Sequence, residues 1–408
     1  MRFFRDLIAA FATVIVVLVL FEVGLRLAGV RYESSFYESD PVLYMALRPR
    51  AEGWEIKEGE NFVRINSWGM RDEERSLVPA PGTLRVALLG DSMVAAEEVP
   101  LDKTMAKVLE SKLSGHLGSP SAPVEVLNFG VGGFTLAQEY LMLENRVWQF
   151  RPDIVVLFLS PSSVPSCSKR LYPGNFPFFV VSNGDLVPDP ATHPPAESSP
   201  EARHEHALLG NLMNQIRLFQ LVRKATQDGI PREIAQLSGS RRRTRNTNIL
   251  NMWLHPPASP EQANAWQVAD RILGLMAEGA RDHGAEFWLS AIGPEVQDNP
   301  NATAREAFLQ KERIKTFDYA ENRLQSIANV HGIGFIALEH PLLEYAEHNH
   351  VSLRGFFNTR PNYGHWNENG NNAAATIVAD KLIEYHSHSE PSVRAAHKLE
   401  HVRTNDGS

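Results

Sequence analysis

Three places in the sequence combine residues that could carry out chemistry. Ser92 closes the tripeptide Gly90-Asp91-Ser92 after a short apolar run, residues 130–133 form a glycine-rich turn, and His365 lies just before a helical pattern. A serine hydroxyl is a poor nucleophile at neutral pH, so it needs a base within hydrogen-bond reach. We therefore interpret Ser92 as a candidate nucleophile and His365 as its candidate base.

Acyl transfer through a serine also needs donors for the negative charge of the tetrahedral intermediate. The backbone N–H groups of Ser92 and Gly133 are the expected oxyanion donors, because a residue without a Cβ lets the backbone approach a substrate closely. Taken singly, a Gly-Asp-Ser turn and a histidine before a helix are ordinary structural features. Their order along the chain, at strand ends and a helix start, favours catalysis.

The elements around these residues alternate between strand and helix. Continuous apolar runs predict strands at 84–89, 124–128, 154–159, 287–292 and 334–338, and helical spacing predicts helices at 104–113, 136–150, 261–283, 304–330 and 371–385. Nearly all-apolar strands alternating with helices indicate a parallel sheet buried on both faces. Sites in such sheets lie outside the carboxyl ends of the strands, where Ser92 is expected.

Composition excludes several classes of protein. The chain has 408 residues, a formal net charge of −8 and a single cysteine. The charge argues against nucleic acid as a general partner, and one cysteine excludes an intramolecular disulfide framework. We expect no metal and no other cofactor: the His-x-His pairs at 204–206 and 386–388 lack acidic or cysteine partners, and the turn at 130–133 lacks dinucleotide spacing.

The amino terminus predicts a membrane anchor. Arg2 and Arg5 precede an apolar run over residues 7–21, and Glu22 and Arg26 are spaced to pair one helical turn apart at its end. We favour an uncleaved signal anchor, with a cleaved signal peptide or a buried helix as alternatives. The leading arginines would hold the amino terminus in the cytoplasm and place the bulk of the chain outside, in the periplasm or at the cell surface.

The remaining boundaries follow composition. We predict an anchor at 1–31, a linker and N-terminal extension at 32–81, a catalytic domain at 82–386 with an insertion at about 161–260, and a disordered tail at 387–408. The insertion is too long for an ordinary loop and could cover the site. Its arginine run at 241–245 indicates either a solvated surface or contact with anionic lipid headgroups or an acidic polymer.

The motifs resemble those of a known family. Gly90-Asp91-Ser92, the segment 128–135, and His365-Trp366-Asn367 with Gly370 resemble blocks I, II and V of the SGNH (GDSL-type) hydrolases. The lead-in at 66–72 and the apolar amino terminus resemble a membrane-anchored bacterial subgroup.

The resemblance covers about residues 60–160 and 260–386. It implies a flavodoxin-like three-layer α/β/α sandwich. It also implies ester hydrolysis or acyl transfer through a serine acyl-enzyme without a metal. Ser92 would be the nucleophile, Gly133 an oxyanion donor and His365 the base.

The sequence departs from that family pattern in two places. Ser162 stands where the third block carries an oxyanion-donating Asn, and Asn362 and Tyr363 stand where an Asp precedes the catalytic His. We expect the Ser162 hydroxyl to donate to the oxyanion and Asn362 to orient the imidazole. A carboxylate from elsewhere, such as Glu339 or Asp318, is an alternative orienting group.

The leading hypothesis is a membrane-anchored extracytoplasmic esterase or deacylase that acts on an acylated small molecule or glycan. One alternative is an O-acyltransferase for cell-surface polysaccharide, which would use the same residues. Another is a catalytically impaired binding protein, which the two departures would explain. Fold-level resemblance alone does not decide among these.

Overall fold

The computed structural model describes residues 2–119, 122–195, 200–228 and 249–388. The strands are β1 (Tyr37–Asp40), β2 (Tyr44–Leu47), β3 (Glu52–Glu55), β4 (Asn61–Arg64), β5 (Leu84–Leu89), β6 (Val124–Asn128), β7 (Ile154–Leu159), β8 (Phe179–Ser182), β9 (Asp185–Pro188), β10 (Glu286–Ala291) and β11 (Gly334–Ile336). The helices are α1 (Arg2–Leu27), α2 (Ser92–Ala95), α3 (Met105–His116), α4 (Leu136–Asn145), α5 (Pro200–Gln215), α6 (Arg217–Asp228), α7 (Pro260–Asp282), α8 (Ala302–Glu312), α9 (Tyr319–His331), α10 (Glu339–Asn349) and α11 (Glu368–His388).

The central sheet has the predicted parallel architecture. Its five strands run in the order β11-β10-β7-β5-β6, and every neighbouring pair is parallel. Counted along the chain, that order is 2-1-3-4-5, the flavodoxin-like arrangement. The order reverses at β5, so β5 lies at the switch point where sheets of this kind place their sites. The predicted fold class is confirmed.

Alternate side chains of the strands enter two separate cores. Ala87, Leu89 and Leu157 join the core on one face of the sheet, whereas Val86 and Leu88 join the core on the other face. Helices α4, α7 and α9 cover the first face, and α3, α10 and α11 cover the second. Because both faces are buried, the strands are apolar along most of their length, which is why their pattern was readable.

The helices differ from the prediction in places. The region predicted as one helix over 304–330 forms α8 and α9, separated by a break that begins with Arg313 in the left-handed conformation at φ 56°. Helix α10 was not predicted; its buried apolar face consists mainly of Leu342 and Ala346 and gives a weak periodic signal. Helix α11 extends to His388. The predicted disordered tail beyond that point, 389–408, lies outside the described residues.

The segment expected to be a linker at 32–81 is folded. Strands β1 and β2 form one antiparallel hairpin, and β3 and β4 form another. Phe36, Leu43, Leu47 and Val63 are at most 1% exposed and belong to the core shared with the sheet. Each of these strands has only four residues, too few for the alternation of apolar and polar residues to predict all of them.

The insertion contributes a hairpin and helices. Strands β8 and β9 pair antiparallel, α5 and α6 follow, and residues 249–254 are helical. Helical spacing predicts one helical piece near 208–225, and the structure has two helices there, α5 and α6. The arginine run at 241–245 lies outside the described residues.

Helix α1 projects from the folded body. Its 26 residues include none that is buried, and its composition and length are those of a helix that can cross a membrane. This exposure disagrees with the alternative of a buried core helix. A membrane anchor and a signal sequence both remain consistent with it.

Candidate active site

Ser92 occupies the turn between the central strand and a short helix. Strand β5 ends at Leu89, and Ser92 is the first residue of α2. The Asp91 carboxylate caps α2 by accepting a hydrogen bond from the backbone N–H of Met93 at 3.0 Å. Asp91 therefore has the structural role expected of a turn residue, and the turn leaves the Ser92 side chain at the carboxyl edge of the sheet.

His365 meets Ser92 at this edge. The Nε2 atom of His365 lies 2.8 Å from the Ser92 hydroxyl oxygen, although the two residues are 273 positions apart in sequence. The contact has the distance of a good hydrogen bond. It is the geometry in which an imidazole can take a proton from a hydroxyl nucleophile.

A buried ion pair holds the loop that carries His365. Arg354 contacts Asp298 at 2.7 Å, and both side chains are at most 5% exposed. The Arg354 guanidinium also donates to the backbone carbonyl of Gly364 at 3.1 Å, immediately before His365. On the other side, the buried indole of Trp366 donates to Asp298 at 3.3 Å. The residues on both sides of His365 are thus held through Asp298: Gly364 by way of Arg354, and Trp366 directly.

Two carboxylates lie behind the imidazole. The Nδ1 atom of His365 is 3.1 Å from Glu58 and 3.3 Å from Glu98. Both contacts are ion-pair distances, while Nδ1 makes a well-directed hydrogen bond with neither. Glu58 also accepts the backbone N–H of His365 at 2.8 Å, which ties the loop to the turn between β3 and β4. These glutamates occupy the place behind the ring that was assigned to Asn362.

The carboxylates set the protonation of the ring. Burial lowers the pKa of His365, but the charges of Glu98 and Glu58 outweigh it and raise that pKa to about 9. Burial also raises the pKa of Glu98. For Glu58, partial burial is outweighed by the close contact with the His365 ring and by the hydrogen bond from the His365 backbone N–H, which lower the pKa of Glu58 below the ordinary value. The imidazolium form is therefore the stable form of the ring at neutral pH.

The backbone at Gly364 explains how Glu58 comes so near. Gly364 has φ of +83°, and a Cβ there would lie 2.2 Å from a Glu58 oxygen. Only glycine tolerates both the left-handed backbone and that approach. The approach of Glu58, which belongs to the N-terminal extension, therefore requires a glycine at position 364.

The structure does not place the three sequence-proposed orienting residues at the ring. The side-chain oxygen of Asn362 accepts a hydrogen bond from the Ser352 hydroxyl at 2.6 Å. The alternative Glu339 is buried and accepts the backbone N–H of Gly293. Asp318 is an exposed residue at the start of α9. The assignment of Asn362 was drawn from its place in the chain, which gives no information on which way a turn residue points.

The predicted oxyanion residues divide into two groups. Gly133 has φ of +78°, has no neighbour within 4 Å of the position where a Cβ would stand, and lines the same cavity as Ser92. Ser162 is not among the residues that line this cavity within the described parts of the chain, and its hydroxyl lies 2.9 Å from that of Ser160. The structure therefore brings Ser92 and Gly133 together and leaves Ser162 paired with its neighbour.

The cavity beside Ser92 has a volume of about 390 Å³. Much of its wall comes from outside the sheet domain: the N-terminal extension supplies residues 33–37, Glu55, Lys57 and Glu58, and the insertion supplies Arg223. Tyr37 donates its hydroxyl to Glu97 at 2.8 Å at this wall. The insertion thus reaches the site through α6, in keeping with the prediction that it could cover it.

Arg71 supports the segment that carries Glu98. This buried guanidinium donates to the backbone carbonyls of Ala95, at 3.1 Å, and of Ala96 and Val99. Burial lowers the pKa of Arg71 to about 10, which leaves it charged. Asn66 orders the same lead-in segment by accepting the backbone N–H groups of Trp68 and Met70, each at 2.9 Å. The lead-in motif at 66–72 thus holds in place the segment that carries Glu98.

Sequence reasoning missed Glu58 and Glu98. Glu58 is 307 positions from His365, and its surroundings in sequence are rich in other charged residues. Glu98 follows Ser92 by six positions, so nearness in sequence was the one available signal. That signal is weak because Glu97 next to it points to Tyr37 instead.

No protein-family model matches the chain, and no curated protein matches it in sequence. Among solved structures, it is similar to the acetyl xylan esterase AlAXEase, with 14% identity and a TM-score of 0.36 over 73% of this chain and 100% of that one. It is also similar to TesA, with 14% identity and a TM-score of 0.34 over 73% and 98% of the two chains. A third is a catalytic mutant of Axe2, an acetylxylan esterase from Geobacillus stearothermophilus, with 10% identity and a TM-score of 0.36 over 74% and 93%. At such values the function has to be argued from the site itself.

Proposed function

We propose that this protein is a membrane-anchored serine hydrolase that cleaves esters through an acyl-enzyme on Ser92. The observation that supports the proposal most directly is the 2.8 Å contact between the Ser92 hydroxyl and His365 at the wall of a cavity. A hydroxyl at a strand-to-helix turn, next to an imidazole backed by carboxylates, is the arrangement that activates a serine nucleophile.

In the proposed reaction, the neutral imidazole of His365 takes the proton of Ser92 as its oxygen attacks the ester carbonyl. The backbone N–H groups of Ser92 and Gly133 donate to the oxyanion. The imidazolium then gives the proton to the alcohol oxygen as its bond to the acyl carbon breaks. The alcohol leaves, and the acyl group stays on Ser92 as the acyl-enzyme. Water, activated by the same imidazole, releases the acid and restores Ser92.

Glu58 and Glu98 stabilise the imidazolium that forms in both steps. Their distances of 3.1 and 3.3 Å from Nδ1 allow a charge interaction with the ring in a partly buried setting. This arrangement weakens the alternative of a catalytically impaired binding protein. One of the two departures that supported that alternative was the absence of an Asp before His365, and Glu58 and Glu98 supply carboxylates at the ring. The other reason remains: the loss of one oxyanion donor typically costs ~10²–10³ in turnover.

The same proposal places the folded body outside the cytoplasm. Helix α1 carries Arg2 and Arg5 at its start, and its apolar residues are exposed along its length. Basic residues flanking a first membrane helix favour the cytoplasmic side. The substrate is then an acylated small molecule or glycan that is available at the outer face of the membrane.

The test uses the full chain in detergent with p-nitrophenyl acetate. We expect hydrolysis that falls to background in Ser92→Ala and is unchanged in Ser326→Ala, a surface serine on α9. A fluorophosphonate probe should label the unsubstituted protein and not the Ser92→Ala variant. Equal hydrolysis by both proteins would contradict the proposal, and transfer to an oligosaccharide in excess of hydrolysis would identify an O-acyltransferase that uses the same residues.

A further inference from the structure

Helices α5 and α6 of the insertion have their polar side toward the protein and their apolar side outward. On α5, Asn211 accepts from the Arg48 guanidinium at 2.8 Å, and Asn214 accepts the backbone N–H of Ser35 at 3.1 Å. The opposite side of α5 carries three leucines that are 53–56% exposed: Leu208, Leu209 and Leu212.

Helix α6 repeats this inversion. Gln220 is 4% exposed and Arg223 lines the catalytic cavity, so the inward side of α6 is polar. Phe219 and Val222 are 39% and 52% exposed, and their i, i+3 spacing places them on one face. The helix is strongly amphipathic in sequence, yet its apolar residues Phe219 and Val222 are turned away from the protein.

A helix on the surface of a water-soluble body normally turns its apolar stripe to the core. A contiguous exposed apolar patch marks an interaction surface. Helices α5 and α6 are joined by the single residue Ile216, so their exposed apolar residues belong to one structural unit. We call these five residues, 208, 209, 212, 219 and 222, the outward apolar face.

The anchor helix is hydrogen-bonded to the turn between the two helices that carry this face. The Glu22 carboxylate accepts the backbone N–H groups of Arg217, at 3.1 Å, and Leu218, at 2.9 Å, at the start of α6. Arg26 donates to the backbone carbonyl of Gln215 at the end of α5, at 2.5 Å. The turn between α5 and α6 is therefore attached to the carboxyl end of α1.

Glu22 is the first charged residue after the apolar run of α1. In a spanning helix such a residue lies where the hydrocarbon meets the headgroups. The hydrogen bonds that Glu22 accepts then hold the start of α6 at headgroup depth. Amphipathic helices at this depth bury their apolar side ~5–10 Å into the boundary between headgroups and acyl chains.

We propose that α5 and α6 lie in the membrane interface with the outward apolar face inserted among the lipids. The inference rests on the part of the proposed function in which α1 spans the membrane. Because Arg223 lines the catalytic cavity from the inner side of α6, the cavity lies within about one helix diameter, ~10–12 Å, of the lipids.

The test places one fluorescent label at a time on the full chain, reconstituted in vesicles of phosphatidylcholine and phosphatidylglycerol. Cys167, which is buried, is first changed to Ser. Labels are placed at Leu212→Cys and Phe219→Cys, and at Val330→Cys, a 79% exposed position on α9. We expect a nitroxide at headgroup depth to quench the first two labels at least twofold more than the third.

A label at Val17→Cys, quenched by a deep nitroxide, reports whether α1 spans the membrane. Quenching at position 17 with no excess at 212 and 219 over 330 would overturn the proposal and leave the anchor intact. No quenching at 17 would overturn it by removing its premise. The fluorescence of the labels at 212 and 219 could instead change with protein concentration and be unaffected by the nitroxide. That result would assign the face to contact with a second copy of the chain, and it would also overturn the proposal.

Charge substitutions provide the matched control. Leu208→Glu with Leu209→Glu should lower the quenching of the label at 219 by at least half, whereas Val330→Glu should leave it unchanged. Hydrolysis of p-nitrophenyl acetate is measured on the same samples, with Ser92→Ala as its reference. The ester assay thus reports on the proposed function separately from the position of α5 and α6.

Discussion

At the scale of single residues, His365 stands between a hydroxyl and two carboxylates. Burial alone would favour the neutral ring, but Glu98 and Glu58 raise the pKa of His365 to about 9. A general base must be unprotonated before it can act. In the proposed mechanism, most of the protein therefore holds His365 in the protonated form at neutral pH, and the carboxylates proposed to stabilise the imidazolium also set this limit.

We expect kcat/KM for a soluble ester to rise with pH and to level off above about pH 9, the pKa of His365. In Glu98→Gln the midpoint should fall by ~1 pH unit, because removing a negative charge lowers the pKa of a neighbouring imidazolium. The control is Glu344→Gln, a glutamate whose side chain is 68% exposed on α10. A midpoint that does not move in Glu98→Gln would contradict the assignment of Glu98 as a partner of His365.

At the scale of elements, the segment that follows α2 depends on a brace from outside the sheet. It carries Glu98 toward His365, and its carbonyls at 95, 96 and 99 are paired with one buried guanidinium, that of Arg71. A buried carbonyl that loses its partner costs ~1–3 kcal/mol. The segment that presents Glu98 is thus held by hydrogen bonds from the N-terminal extension.

Arg71→Met keeps the apolar stem and removes the donors. We expect the free energy of unfolding to drop by ~2–4 kcal/mol and ester hydrolysis to fall with it, with partial recovery in Arg71→Lys. Thermal unfolding followed by circular dichroism measures the first effect. The exposed Arg360→Met is the control. An Arg71→Met protein as stable as the control would show that these hydrogen bonds do not hold the segment.

At the scale of the whole molecule, the N-terminal extension and the sheet domain share one core. Phe36, Leu43, Leu47 and Val63 pack in the same cluster as the strands. Uncovering such side chains costs ~1.5–3 kcal/mol for each large one. Four of them approach the whole stability of a typical domain, ~5–15 kcal/mol. The boundary predicted at residue 82 therefore does not separate two independently stable parts.

We expect a fragment of residues 82–408 to be insoluble or unfolded, and one of residues 32–408 to fold and to hydrolyse p-nitrophenyl acetate. Size-exclusion chromatography and circular dichroism compare the two fragments. A soluble 82–408 fragment that unfolds at the same temperature as 32–408 would contradict the shared core. A folded 82–408 fragment would in addition lack Glu58, and should lose activity for that reason.

Local pattern was sufficient for the sheet and for part of the site. Strands buried on both faces are continuous apolar runs, so β5, β6 and β7 were located at their observed bounds. Ser92 and Gly133 follow such strands directly, and parallel strands bring their carboxyl ends to one edge. The structure accordingly brings Ser92, Gly133 and His365 to one cavity. Their catalytic roles stay predictions that the Ser92→Ala and pH experiments test.

Tertiary structure alone decided which groups stand behind the histidine and where the insertion turns its apolar side. Glu58 reaches His365 from the turn of the hairpin β3–β4, whose Val63 joins the core shared with the sheet, and no local pattern carries a contact across 307 positions. The amphipathic pattern of α6 was readable in sequence, but periodicity gives the spacing of apolar residues and not the side that faces the protein. The polar contacts of Asn211 and Asn214 on α5 and the burial of Gln220 on α6 set that side, and they exist only once the chain has folded.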